Sequence, residues 1–130
     1  MELYTSYFAN LRNIDKSIIP VSIARIKPSW YNGLEFKAIA PSMQLLKWYK
    51  YNNEYTQNEK ERINTDIFKK EVFDRYTATA IYTSILRLTD GADKAVLLCY
   101  EKYGDFCHRH LVSDYLNKAG YPCNEIGVIK

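Results

Sequence analysis

The segment Lys94 to Cys99 (KAVLLC) is a short, nearly continuous apolar run with no alternation. That is the pattern of a central strand covered on both faces. Beyond it, Tyr100 to Gly104 turns polar, and a helical pattern begins near Phe106. Leu111, Val112, Tyr115, Leu116 and Ala119 share one face of that helix. Gly120 followed by Pro122 stops it. Upstream, Leu3 to Phe8 alternates polar and apolar residues and predicts a first strand; the polar ANLRNIDKS after it predicts a loop. Ile18 to Ile23 predicts a second strand, with Pro20 near its start, where a missing N–H is tolerated.

Asn32-Gly33 marks a turn, and Ser42 is placed to cap a helix carrying Leu45, Leu46, Trp48 and Tyr49. The polar stretch Tyr51 to Arg62 is expected to be a surface connection. Thr65 and Asp66 would then open a helix burying Phe68, Val72, Phe73 and Tyr76. The run Thr77 to Ala80 interrupts it. Ile81, Ile85 and Leu88 continue a helical stripe that Asp90-Gly91 closes, and Glu125 to Ile129 is a weak final strand. Strands alternating with helices predict one α/β domain over residues 1–130: a small, three-layer, Rossmann-like domain with a short, mostly parallel sheet.

Composition narrows the class. Of 130 residues, 47% are hydrophobic and 25% charged, which excludes a disordered chain. A net charge of +3 allows an anionic ligand but falls short of a dedicated duplex binder. Twelve Tyr and two Trp serve equally to fill a small core or to stack on bases. Three Cys at unrelated spacings do not make a disulfide framework and suit a reducing cytoplasm. MELYTSYFANLRN lacks the basic-then-apolar order of a signal peptide, and no apolar run approaches bilayer length, so no membrane association is expected.

Candidate chemistry gathers where the central strand ends. Asp105 is placed to cap the helix, leaving Phe106, Cys107 and His108 in its first turn, where orphan N–H groups and the dipole favour anions. The same field lowers a thiol's pKa, making Cys107 the candidate nucleophile. His108 and Glu101 are the candidate acid–base partners. Helical counting turns Cys107 and His108 inward and Arg109 and His110 toward solvent or a cleft rim. Cys99 reads mainly as packing, with a ligand contact as the alternative, and Cys123 as structural or incidental. Arg25, Lys27 and Ser29 cluster after the second strand. With that strand beside the central one, Arg25 faces the same crevice as Arg109, and two Arg suit a phosphate or carboxylate. Trp30 and Tyr31 supply a stacking surface or cover the sheet edge. No CxxC or HExxH spacing is present, and helical neighbours cannot both reach one ion, so no metal ligands are assigned. The lack of a Gly-rich loop excludes an NTPase or dinucleotide reading, and no cofactor is named.

At these residues the chain resembles a family. VSIARIKPSW, IAPSMQLLKWYK, FDRY and VLLCYEKYGDFCHRHLVSDYL, in this order, are similar to the domain-of-unknown-function 488 family, from about Tyr4 to Gly120. The last block is the specific one, with a Cys, a Glu and a Cys-His-Arg triplet at the family's spacing. The resemblance implies a compact α/β domain, intracellular, of bacteria and their phages, without an established activity. By match, Arg25, Cys99, Glu101, Cys107, His108 and Arg109 occupy motif positions. Many relatives carry Asp-Val-Arg where this chain has Ile23-Ala24-Arg25, so the acidic residue of that motif is absent.

Three functions compete. One is a small enzyme or sensor acting on an anionic nucleotide, nucleoside or nucleic-acid end, held by Arg25 and Arg109. Another is a non-catalytic binding module, a phage or host-defence accessory, in which the thiols play no part. The third is a protein with a structural metal site. The sequence specifies no oligomeric state.

Overall fold

The computed structural model describes residues 1–101 and 106–127. The chain runs β1 (Glu2–Tyr7), a 3-10 segment (Phe8–Asn13), β2 (Ile19–Ser22), β3 (Leu34–Glu35), a 3-10 turn (Lys37–Ile39), α1 (Met43–Tyr51) and α2 (Gln57–Phe68). A π-helical turn (Lys69–Phe73), α3 (Ala78–Leu88), β4 (Lys94–Cys99), α4 (His108–Lys118) and β5 (Cys123–Glu125) complete it. The five strands form one sheet in the order β3-β2-β4-β1-β5, and every pairing is parallel. β4 lies at the centre, in register with β1 from Glu2↔Lys94 to Tyr7↔Cys99. Pro20 pairs with Val96, and β3 reaches only Val21 and Ser22, so Pro20 has a sheet neighbour on one side alone.

The pleat of β4 divides the core. Ala95 and Leu97 face a cluster with Val21 and Ile23 of the β2 region, to which α1 adds Leu45, α3 adds Ile81 and Ile85, and α4 adds Val112 and Leu116. Val96 and Leu98 face the opposite cluster, with Phe8, Ile14, Ala24 and Tyr31. The domain therefore has three layers. One is built from α-helices; the layer across the sheet is thin, made of the 3-10 segment and the loop after β2. The segment expected to be a loop after β1 is thus a 3-10 helix, anchored by the Asn10 amide donating to Ser6 and to the carbonyls of Ile126 and Gly127.

The helix starts follow local chemistry. Ser42 Oγ accepts from the Leu45 N–H at the start of α1, and both Ser42 groups donate to Glu71, tying that cap to the π-helical turn. The expected connection over Tyr51 to Arg62 is largely α2 instead. Its start is a reciprocal capping box: Thr56 Oγ1 accepts from Glu59 N–H while Glu59 accepts from Thr56 N–H. Thr65 and Asp66 lie inside this helix rather than at its start. Five further residues in a π-helical turn carry the chain from Phe68 to Phe73, and Thr77 caps α3. Asp90 and Gly91, both at positive φ, end α3, as expected from the Asp-Gly pair.

α4 starts at His108, with extended Cys107 as its N-cap, so Phe106 and Cys107 precede the first turn. The cap expected at Asp105 lies outside the described residues. Within α4, Val112 and Leu116 are buried as expected, whereas Ala119 is exposed. β5 begins at Cys123, earlier than expected, and Val128 to Lys130 lie outside the described residues. Among the described residues, no helix is long and apolar enough to cross a membrane.

Topology locates the site. After β2 the chain moves to the β3 edge; after β4 it crosses β1 to β5 at the other edge. Two neighbouring strands whose connections diverge leave a crevice between their carboxyl ends, the usual ligand position in an open parallel sheet.

Candidate functional site

A cavity of about 620 Å³ opens at that divergence. Ala24, Arg25 and Ile26 line it from the end of β2, and Cys99, Tyr100 and Glu101 from the end of β4. α1 contributes Leu46, Lys47, Tyr49 and Lys50; Asn64 comes from α2, and Phe106, Cys107 and His108 from the start of α4. The size suits a drug- or nucleotide-sized ligand. Tyr49 and Phe106 stack at 5.5 Å between ring centroids, with Lys60 Nζ 5.1 Å from the Tyr49 centroid, so one side of the opening is an aromatic wall.

The strand-to-helix turn brings Cys99, Glu101 and Cys107 together: their Sγ and carboxylate atoms all lie within 4.8 Å of one another. Cys107 is 2% exposed. Burial pushes its thiol well above the ordinary range, and Cys99 and the Glu101 charge push the same way. The expectation of a thiolate activated by the helix N-terminus is therefore reversed: Cys107 is held as a thiol, at the cap rather than in the first turn. Cys99 packs in the core, as expected, and also lines the cavity.

His108 turns to α2. Its Nε2 lies 2.6 Å from Asn64 Oδ1, and its ring packs 4.6 Å from that of Phe68. With the oxygen so placed, Nε2–H donates. Burial drops the His108 pKa to about 4, so the imidazole is neutral at physiological pH. Asn64 is fully buried, and its Nδ2 has no hydrogen-bond partner among the described residues. The acid–base pair expected of His108 and Glu101 is thus a His108–Asn64 pair, with Glu101 exposed beside the thiols.

Arg109 differs most from expectation. It is 0% exposed rather than on a cleft rim. Nε donates to Glu125 Oε1 and Oε2 at 3.1 and 3.2 Å, Nη2 to Oε2 at 2.9 Å, and Nη1 to the Glu101 carbonyl at 2.7 Å. Thr5 Oγ1 donates to the same carboxylate, and the Tyr7 ring lies 5.8 Å from the guanidinium carbon. These bonds tie the end of β4, the start of α4 and β5 together, and Arg109 does not line the cavity. Val112 and Leu116 set the phase of α4, and three residues before Val112 is Arg109; Leu111, half-buried, misled the count.

Arg25 does line the cavity. Its Nε donates to the Pro41 carbonyl at 2.9 Å and Nη2 to those of Lys37 and Ala40, leaving Nη1 without a hydrogen bond among the described residues. Lys27 instead donates to the Tyr31 carbonyl, and Ser29 is exposed; neither lines the cavity. Tyr31 is buried on the thin layer and Trp30 is exposed. Ile23 is 1% exposed in the helix-side core, so a carboxylate role at that position is closed to this chain.

The family model described as "Active DUF488-N3 subclade" matches residues 11–120. The chain belongs to the DUF488 family. No curated protein and no solved structure matches it. The match spans every element that lines the cavity of this DUF488 domain.

Sequence reasoning passed over several cavity residues of the DUF488 domain. Asn64 lies four residues before Phe68, and a helix started at Thr56 puts the two on one inward face. The Thr-Gln-Asn-Glu spacing was the available signal, and it also exposes Asn64 as a polar residue in a core row. Lys47 and Lys50, three apart in α1, had only their helical spacing to mark them.

Proposed function

We propose that the DUF488 domain binds a nucleotide-class ligand, free or as a unit of a nucleic acid, in the cavity between β2 and β4. The observation that carries this reading is the lining: three cationic residues, Arg25, Lys47 and Lys50, beside the aromatic rings of Tyr49, Tyr51, Tyr100 and Phe106. A planar base fits the rings and a phosphate fits the cations. The free Arg25 Nη1 and the unpartnered Asn64 Nδ2 are the donors left for ligand acceptors. Glu101 is the one carboxylate lining the cavity among the described residues. The word "active" in the matched subclade's description is said of that subclade and supports looking for turnover. Binding without turnover is the second reading, favoured by a Cys107 held as a thiol and a His108 tied to Asn64.

The test is calorimetric titration with the four nucleoside 5′-monophosphates, the matching nucleosides, inorganic phosphate and a short single-stranded oligonucleotide. A monophosphate is expected to bind on the order of tenfold or more tighter than its nucleoside, and Lys50→Ala and Arg25→Ala to remove that advantage. Tighter binding of the oligonucleotide than of any monophosphate would assign the site to nucleic acid. No saturable binding of any probe, or equal affinity for nucleoside and monophosphate, would overturn the proposal.

A further inference from the structure

We infer that Cys99, Glu101 and Cys107 form a divalent-metal site of the zinc class in the wall of the cavity. The three donors come from separate places: the last residue of β4, the second residue beyond it, and the cap of α4. Only the folded sheet brings them within 4.8 Å of one another. On a tetrahedral ion, thiolate and carboxylate donors stand about 3.5–3.8 Å apart, and exposed Glu101 is free to close that difference by rotating its side chain. Two thiolates and a carboxylate are a soft-biased set that suits zinc over magnesium or calcium.

The surroundings fit the same role. His108, the remaining nitrogen donor beside Cys107, is turned away to Asn64, and Cys123 lies on β5 with its carbonyl bound to Ser113 and Asn117. Three protein ligands leave a fourth position, and the same residues line the cavity, so that position opens to whatever the cavity holds. Arg109 Nη1 donates to the Glu101 carbonyl and fixes the backbone of one ligand. Binding as thiolates exchanges the protons of the two Cys side chains for the metal and releases them to solvent. An anionic oxygen of the cavity's occupant would take the open position; that last step rests on the nucleotide reading, whereas the metal site does not.

The decisive experiment titrates the full chain, freed of metal and kept reduced, with Co²⁺ alone and no nucleotide. One equivalent is expected to give thiolate-to-cobalt charge-transfer absorption with the d–d bands of a tetrahedral site, and Zn²⁺ should bleach both. Cys99→Ser and Cys107→Ser should each lose the charge-transfer intensity and weaken binding on the order of tenfold or more. Glu101→Gln, at an exposed position, should weaken binding while leaving the circular dichroism unchanged, and Cys123→Ser should match the parent. No charge-transfer band in the parent chain, full binding by Glu101→Gln, or a band that disappears with Cys123→Ser would overturn the inference. Because the probe is metal alone, such a failure leaves the nucleotide titrations to stand or fall separately.

Discussion

Lowering the pH should destabilise this domain through His108. Its imidazole is 8% exposed, and burial holds its pKa at about 4, against about 6.5 in an unfolded chain. The folded state therefore resists the proton that the unfolded chain accepts, and stability must fall as pH drops from above 6.5 toward 4. Integrating that difference gives a loss of about 2 kcal/mol between pH 8 and pH 5, reaching about 3 kcal/mol at pH 4. The assay is urea unfolding at pH 8, 6 and 5 in chelator, for the parent and His108→Gln. Gln keeps a neutral donor toward Asn64 Oδ1 and removes the titration. Carboxylates and the half-buried His110 are common to both proteins, so the difference between their pH slopes isolates His108. The parent should lose about 2 kcal/mol more than His108→Gln by pH 5. Parallel slopes would refute the reasoning, because they would mean that His108 takes up its proton as readily folded as unfolded.

Two further predictions concern the scaffold. Arg109→Met leaves the Glu125 carboxylate without its main partner and should cost about 3–5 kcal/mol in denaturant unfolding; adding Glu125→Gln should recover part of it, and a cost below about 1 kcal/mol would show that the pair does not hold the turn. Thr56→Ala removes the capping box of α2 and should cost about 1 kcal/mol, measured by thermal unfolding, whereas Thr65→Ala inside the helix should change stability by less than half of that.

Much of the architecture was legible because local rules decide it. The unbroken apolar run of β4, the Ser42 cap of α1 and the Asp90-Gly91 stop each depend on residues close in sequence. α2 was legible in principle, through Thr56 and Glu59, but its polar face resembles a loop when apolar spacing alone is followed.

The site divides differently. Its place at the end of β4, and the gathering there of Cys99, Glu101, Cys107, His108 and Arg25 around one cavity, could be read from residue types and order. What those side chains do could not, because each role depends on a partner distant in the chain. Glu125, 16 residues on, makes Arg109 a buried strut; Asn64, 44 residues back, makes His108 a neutral hydrogen-bonding group. Desolvation by the assembled core turns Cys107 from an expected thiolate into a thiol. The sequence by itself determined most of the strands and helices and which residues gather at the turn. Only the tertiary structure decided which face the cavity and which are used up in holding it, since burial and pairing are properties of neighbours that the chain order does not name.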